Sequence, residues 1–166
     1  MAETLQFNPG SSRSERYADL GKQWAALVQG EPNRVANLAN ISAVLFEAFN
    51  WHWVGFYLVD SQRDELVLGP FQGPLACTRL HHGKGVCAAA WDSGSTQIVP
   101  DVHAFPGHVA CSSLTQSELV LPIWSENQIV GVLDIDSAKA ADFDESDVQG
   151  LASLMDCLSK NWSSWE

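Results

Sequence analysis

The chain has 166 residues, 46% of them hydrophobic, with seven tryptophans, only 17% charged residues and a formal net charge of −11. That length suits one domain able to bury a full core without staples, and the composition excludes a disordered chain. The acidity opposes binding to nucleic acid or to anionic membranes, because no basic face remains to neutralise phosphates; small molecules or proteins are the expected partners.

The first residues, MAETLQFNPGSSRSERY, lack the basic-then-apolar order of a secretory signal, and no run reaches membrane-spanning length, so a cytoplasmic location is expected. Tyr17, Leu20, Trp24, Leu27 and Val28 mark one face of a helix that the serines at 11, 12 and 14 cap and Gly30 ends. Pro32 suits the first turn of a second helix, with Val35, Leu38, Ala39, Leu45 and Phe49 apolar. The middle predicts strands near 53–59, 65–71, 75–80, 96–99, 117–124 and 128–136, separated by DSQRD, GPFQGP, HHGKG and SEN turns. A short helical piece, VCAAAWDSG, interrupts them. The last segment has acidic residues in its first turn and Val148, Leu151, Met155, Leu158 and Trp162 on one side, which predicts a closing helix. The chain therefore reads as N-terminal helices over 12–50, sheet and loops over 51–137 and a closing helix over 144–162. This is a layered α/β (α+β) architecture in which helices from both ends pack on a mainly antiparallel sheet of about six strands.

Side-chain parity singles out two groups. If SELVLPIW and QIVGVLDID form a hairpin around Ser125, Glu126 and Asn127, then Trp124 faces Gln128, Leu121 faces Gly131, Leu119 faces Leu133 and Glu118 faces Asp134. Leu119, Leu121, Ile123, Ile129, Leu133 and Ile135 then share a buried side, while Glu118, Asp134 and Asp136 project together on the other. Three carboxylates on one patch raise the pKa of at least one of them unless a cation joins them; the alternative is a solvated sheet edge. In the first strand Trp53, Gly55 and Tyr57 alternate with Val54, Phe56 and Leu58. The two aromatics either line a pocket beside a space left by Gly55 or serve as core packing.

The four cysteines define the chemical question. In a reducing compartment they read as inert core thiols, metal ligands, or catalytic and sensing thiols. Cys157 suits the first role, within the amphipathic closing helix. Cys77, Cys87 and Cys111 lie among His81, His82, His103 and His108, yet no C-x-x-C or H-x-x-x-H pair marks a structural zinc site. Cys111 follows PGHVA and precedes SSLTQSE, a polar loop that leaves a thiol accessible.

LGPFQGPLACTRL, GKGVC, VPDVHAFPGHVAC, SELVLPI and IVGVLDIDS follow one another in the order and spacing of free methionine-(R)-sulfoxide reductases, enzymes built on a GAF domain. The chain resembles that family from about Trp51 to the closing helix. IVGVLDIDS alone would indicate only a GAF domain; FPGHVAC with Cys77 and Cys87 points to the reductase. The resemblance implies a single GAF domain over 1–166 that reduces free L-methionine-(R)-sulfoxide to methionine. Cys111 would be the nucleophile that becomes sulfenic acid, Cys77 the resolving thiol that closes a disulfide, and Cys87 an alternative resolving or relay thiol. Thioredoxin would recycle the enzyme. Glu118, Asp134 and Asp136 match the family's substrate-site acids, and Trp53 and Tyr57 its aromatic wall. The resemblance implies no bound cofactor or metal and is compatible with a homodimer.

Elementary chemistry adds to this. A sulfoxide oxygen leaves only once protonated, so thiolate attack needs a nearby proton donor, and a carboxyl with a raised pKa supplies one at neutral pH. The start of the VCAAAW helix suits the substrate carboxylate. A site that grips both a free ammonium and a free carboxylate rejects peptide-bound methionine sulfoxide. Gly83 and Gly85, flanking Lys84, would let the Cys77–Cys87 segment move or would form an ordinary turn. Ser112 and Ala88 depart from the Asp and Gly of many relatives, which would alter activation of Cys111 and stiffen the mobile segment. The rival readings are a non-catalytic GAF sensor of a small ligand, which leaves three cysteines unexplained, and a thiol redox switch.

Overall fold

The structure, a computed structural model, describes residues 7–8, 10–108 and 111–166. The first six residues, on which the leader reading partly rests, and Val109 and Ala110 of FPGHVAC lie outside the described residues. The chain runs α1 (Arg13–Gly21), α2 (Trp24–Leu27), α3 (Arg34–Phe49), β1 (Trp53–Asp60), β2 (Glu65–Gln72), β3 (Arg79–Leu80), α4 (Gly85–Ser93), β4 (Gln97–Val99), β5 (Ser117–Ser125), β6 (Gln128–Ser137) and α5 (Glu145–Asn161). Six strands form one sheet in the order β3-β2-β1-β6-β5-β4, and every pairing is antiparallel. This is the expected α+β fold. Among the described residues no helix is long and apolar enough to cross a membrane.

Local sequence explains the boundaries and three departures from the expected elements. Ser12 and Glu15 form a capping box that starts α1, and Asp144 and Asp147 form another at α5. The single helix expected before Gly30 is broken into α1 and α2 at Lys22 and Gln23, which swings Trp24 into the core at 3% exposure. Pro32 does not lie in the first turn of α3: Asn33 caps that helix, its side chain accepting from the Ala36 N–H. Of the expected strand near 75–80 only Arg79 and Leu80 pair with β2; the preceding residues, including Cys77, form a loop.

The alternation of side chains sorts the core into two halves. Val54 and Phe56 of β1, Leu119, Leu121 and Ile123 of β5, and Leu133 and Ile135 of β6 pack under the helices, against Leu20, Leu38, Ile41, Leu45, Leu151 and Leu158. Trp53, Tyr57, Val120 and Val132 face the other way and pack against Val86, Cys87 and Ala90 of α4. Residues of the first half are mostly at or near zero exposure, and each such buried aliphatic contributes roughly 1.5–3 kcal/mol. The second half is where polar groups enter.

The β5–β6 hairpin is built differently from the three-residue loop expected. Its turn has two residues, Glu126 and Asn127, both in the left-handed region (φ 49° and 65°), as a tight hairpin turn requires. A two-residue turn alone would invert the faces, but a bulge between Ile123 and Trp124 on one side and Gly131 and Ile129 on the other restores parity beyond it. Glu118 therefore faces Asp136, not Asp134, and Val120 faces Asp134. Ile129, expected on the apolar side, lies instead within contact range of Gly94, beside Trp124.

Candidate active site

Adjacent β5 and β6 carry the acids to one place. Glu118, Asp134 and Asp136 all line a pocket on the α4 side of the sheet, with a volume, mouth included, of about 550 Å³. Glu118 and Asp134 are each only 6% exposed, so the solvated-edge alternative fails. Burial, with charge repulsion from Asp134 and Asp136, holds the Glu118 carboxyl well above its ordinary range. Burial likewise drives Asp136 well above its usual value against a hydrogen bond from Thr115, and lifts Asp134 to about 6 although Cys87 and Glu118 hydrogen-bond to it. A cluster so desolvated keeps at least one proton at neutral pH. One Asp134 oxygen, Oδ1, is buried without any hydrogen-bond partner.

The thiols occupy two levels of this pocket. Cys77 and Cys111 are joined by a disulfide, with 5.6 Å between Cα atoms, and Cys111 stands exposed on the pocket wall. Cys87 in the first turn of α4 is free and 5% exposed, its Sγ 4.0 Å from Glu118 Oε1. Burial first, then the charges of Asp134 and Glu118, push its thiol well above the usual value. Cys157 is free and belongs to the helix-side core, as expected of an inert thiol.

The aromatics do two jobs at once. Trp53 and Tyr57 line the pocket and also tether the loop that carries Cys77: Trp53 Nε1 donates to the Pro74 carbonyl at 3.1 Å, and the Tyr57 hydroxyl donates to the Cys77 carbonyl at 2.8 Å. The space expected beside Gly55 is filled. A Cβ there would stand 2.8 Å from both the Trp53 ring and the Phe71 Cα, and Phe71 stacks on Trp53 with centroids 5.2 Å apart.

The first turn of α4 contributes Lys84, Gly85 and Val86 to the wall, and no side chain caps it. Beyond Gly85, whose N–H is taken by a backbone carbonyl, the first N–H groups of the helix suit an anion. Gly83 and Gly85 both have left-handed φ values, 73° and 82°. The turn is fastened at each: the Gly83 N–H donates to Asp92 and the Gly85 N–H to the Gly107 carbonyl, both at 2.9 Å.

Three residues escaped the sequence reading. His52 donates its backbone N–H to the Asp136 carbonyl at 3.0 Å, and its Nε2 lies 2.9 Å from Ser112 Oγ, tying the Cys111 loop to the acid-bearing strand. Thr115 holds Asp136, and His108, considered only for metal, lines the pocket with both ring nitrogens buried and unpartnered. Nothing in a periodicity marks these, because all three lie outside the runs of alternating strand residues.

Of the histidines near the cysteines in sequence, His108 lines the pocket beside Cys87 and Cys111, whereas His81 and His82 do not. His81 pairs with Glu65, and His82 lies between Asp64 and Asp92, stacked on Trp91. Among the described residues a metal-sized cluster arises elsewhere, from Cys87, Glu118 and Asp134, whose donor atoms lie within 4.8 Å of one another.

Comparison with known proteins places this geometry. Residues 35–159 match the GAF domain family, so the fold and site define a GAF domain carrying a thiol–disulfide pair over buried acids. The chain is 54% identical over 158 residues to GAF domain-containing protein A of Dictyostelium discoideum, covering 95% of this chain and 99% of that protein. It is 47% identical over 150 residues to the free methionine-R-sulfoxide reductase of Escherichia coli (strain K12), covering 90% of each. It resembles the X-ray structure of free methionine-R-sulfoxide reductase from Neisseria meningitidis in complex with its substrate, with a TM-score of 0.94, 51% identity, and coverage of 99% and 97%. The chain belongs to the free methionine-R-sulfoxide reductase family of GAF-domain proteins.

Proposed function

We propose that this protein is an oxidoreductase that converts free L-methionine-(R)-sulfoxide to methionine, with Cys111 as nucleophile and Cys77 as resolving thiol. The observation that carries the reading is the Cys77–Cys111 disulfide beside a pocket lined by the carboxyls of Glu118, Asp134 and Asp136, the first two of them buried. The Cys111 thiolate attacks the sulfoxide sulfur while a protonated acid, Glu118 or Asp136, gives its proton to the departing oxygen. The protonated oxygen passes as hydroxyl from the substrate sulfur to Cys111 Sγ while the transient bond between the two sulfurs breaks, so methionine leaves and Cys111 is left as sulfenic acid. Cys77 then attacks Cys111 Sγ, water departs, and the disulfide closes. A dithiol reductant, thioredoxin in this reading, returns both thiols by taking the oxidation onto its own pair.

Recognition follows the same wall. Ionised carboxylate among Glu118, Asp134 and Asp136 grips the substrate ammonium, the uncapped turn at Lys84–Val86 meets its carboxylate, and Trp53 and Tyr57 enclose its methyl end. A peptide bond would abolish both charges, so the free amino acid is selected. Cys87, at the bottom beside Glu118, is held as a protonated thiol and serves as an alternative resolving or relay group. The decisive assay compares free R, free S and peptide-bound methionine sulfoxide with thioredoxin as reductant. Turnover of the free R epimer alone is expected, and oxidation of the protein by peroxide with no methionine formed would favour the redox-switch reading instead.

A further inference from the structure

An ammonium group needs oxygen acceptors and gains little from sulfur. The deepest part of this pocket nonetheless sets the Cys87 Sγ and one oxygen each of Glu118 and Asp134 within 4.8 Å of one another, all three residues buried. Asp134 Oδ1 stands there with no hydrogen-bond partner, on a residue 94% buried by its 6% exposure. One soft thiolate with two carboxylates is a donor set for a borderline-soft divalent ion, and three protein ligands with an open position match a tetrahedral zinc. We propose that Cys87, Glu118 and Asp134 form a zinc-binding site in the floor of the pocket, and that zinc there excludes the substrate. A water molecule completes the coordination at the open position. The ion is an inhibitor and not a resident cofactor: it takes the place of the ammonium and converts the Cys87 thiol to a metal thiolate, releasing its proton to solvent. The exclusion of substrate, but not the binding itself, rests on the reading of the pocket as a methionine sulfoxide site.

The disulfide makes the site separable from the rest of the chemistry. With Cys77 and Cys111 oxidised, the free thiols are Cys87 and Cys157, and Cys157 lies in the core on the opposite face of the sheet. Cobalt, a coloured substitute for zinc, reports thiolate ligation by a sulfur-to-metal charge-transfer band. Titration of the oxidised protein is expected to raise that band to saturation at one cobalt per chain, and zinc to bleach it. The band is expected to persist in Cys157→Ser and vanish in Cys87→Ser. Glu118→Gln keeps the thiolate, so its band should form with affinity lowered at least the roughly tenfold that loss of a supporting group costs. Free methionine-(R)-sulfoxide should displace the metal, and zinc should inhibit the reduced enzyme competitively. Absence of the band, or its survival in Cys87→Ser, overturns the site. A band unaffected by substrate, in an enzyme that still turns over when metal-free, overturns the exclusion while leaving the reductase reading intact; no turnover in metal-free protein overturns that reading alone.

Discussion

Tyr57 donates its hydroxyl to the backbone carbonyl of Cys77 at 2.8 Å, fixing a pocket-wall aromatic to the loop that bears the resolving sulfur. The phenol is held neutral by burial first and then by Asp134 and Cys87 nearby, which drive its pKa far upward, so this donor persists at any working pH. Tyr57→Phe keeps the ring and removes the tether. A net hydrogen bond of about 1 kcal/mol corresponds to roughly fivefold in a rate that depends on the loop's position. The first methionine released per chain should appear at nearly the wild-type rate, while disulfide closure, followed by trapping of sulfenic acid, slows by about that factor.

Cys111→Ser should release no methionine even in a single turnover. Cys77→Ser should release one methionine per chain and then cycle poorly under thioredoxin. Equal steady-state rates for wild type and Cys77→Ser would transfer the resolving role to Cys87.

The acids make stability depend on pH with a definite sign. Burial raises Asp134 from its usual 3.8 to about 6. Between those values the folded chain binds more protons than the unfolded one, so stability declines as pH rises through that window and stays low above it. The ionised form is the costly one. Asp134→Asn should therefore stabilise the protein above pH 6, by an amount on the order of 3 kcal/mol. It should also flatten the slope of urea midpoint against pH, and leave stability near pH 4 little changed.

Glu118→Gln removes a proton source held by burial and by Asp134 above the ordinary carboxylate range. Loss of general acid catalysis predicts kcat/KM lower by roughly 10²-fold or more. In the wild type, kcat/KM should fall on the alkaline side as that proton is lost. An unchanged alkaline limb in Glu118→Gln would move the role to Asp136.

Gly55→Ala introduces a methyl against the Trp53 ring and the Phe71 backbone. Overpacking of this kind costs about 1–3 kcal/mol. Because the displaced ring is a pocket wall, KM for substrate should rise along with the loss in thermal stability.

Much of this was legible in the chain. Alternation in β1 sorted Val54 and Phe56 from Trp53 and Tyr57 correctly, and parity put Glu118, Asp134 and Asp136 on one face, because a strand's period is fixed by its backbone. The partner of Glu118 was not legible. The bulge opposite Ile123 and Trp124 compensates a shorter turn than expected; beyond it the two shifts cancel in parity and leave the faces as read, while between bulge and turn Ile129 changes sides. The Cys77 loop looked strand-like by composition, yet Tyr57 and Trp53 take its carbonyls out of any ladder. His52 and Ser112 meet across 60 positions, a tertiary contact that no local window contains.

The disulfide spans 34 positions of the chain. Closing a ring of that size removes unfolded-state freedom worth about 3.8 kcal/mol in the chain-entropy model, a sizeable part of the 5–15 kcal/mol that holds a typical domain together. The protein is thus hardest to melt when it has just been oxidised and softest when its thiols are ready to react. Each redox cycle is also a mechanical one, tightening and releasing the rim of the pocket, so its melting temperature doubles as a gauge of how much of the population is waiting for electrons.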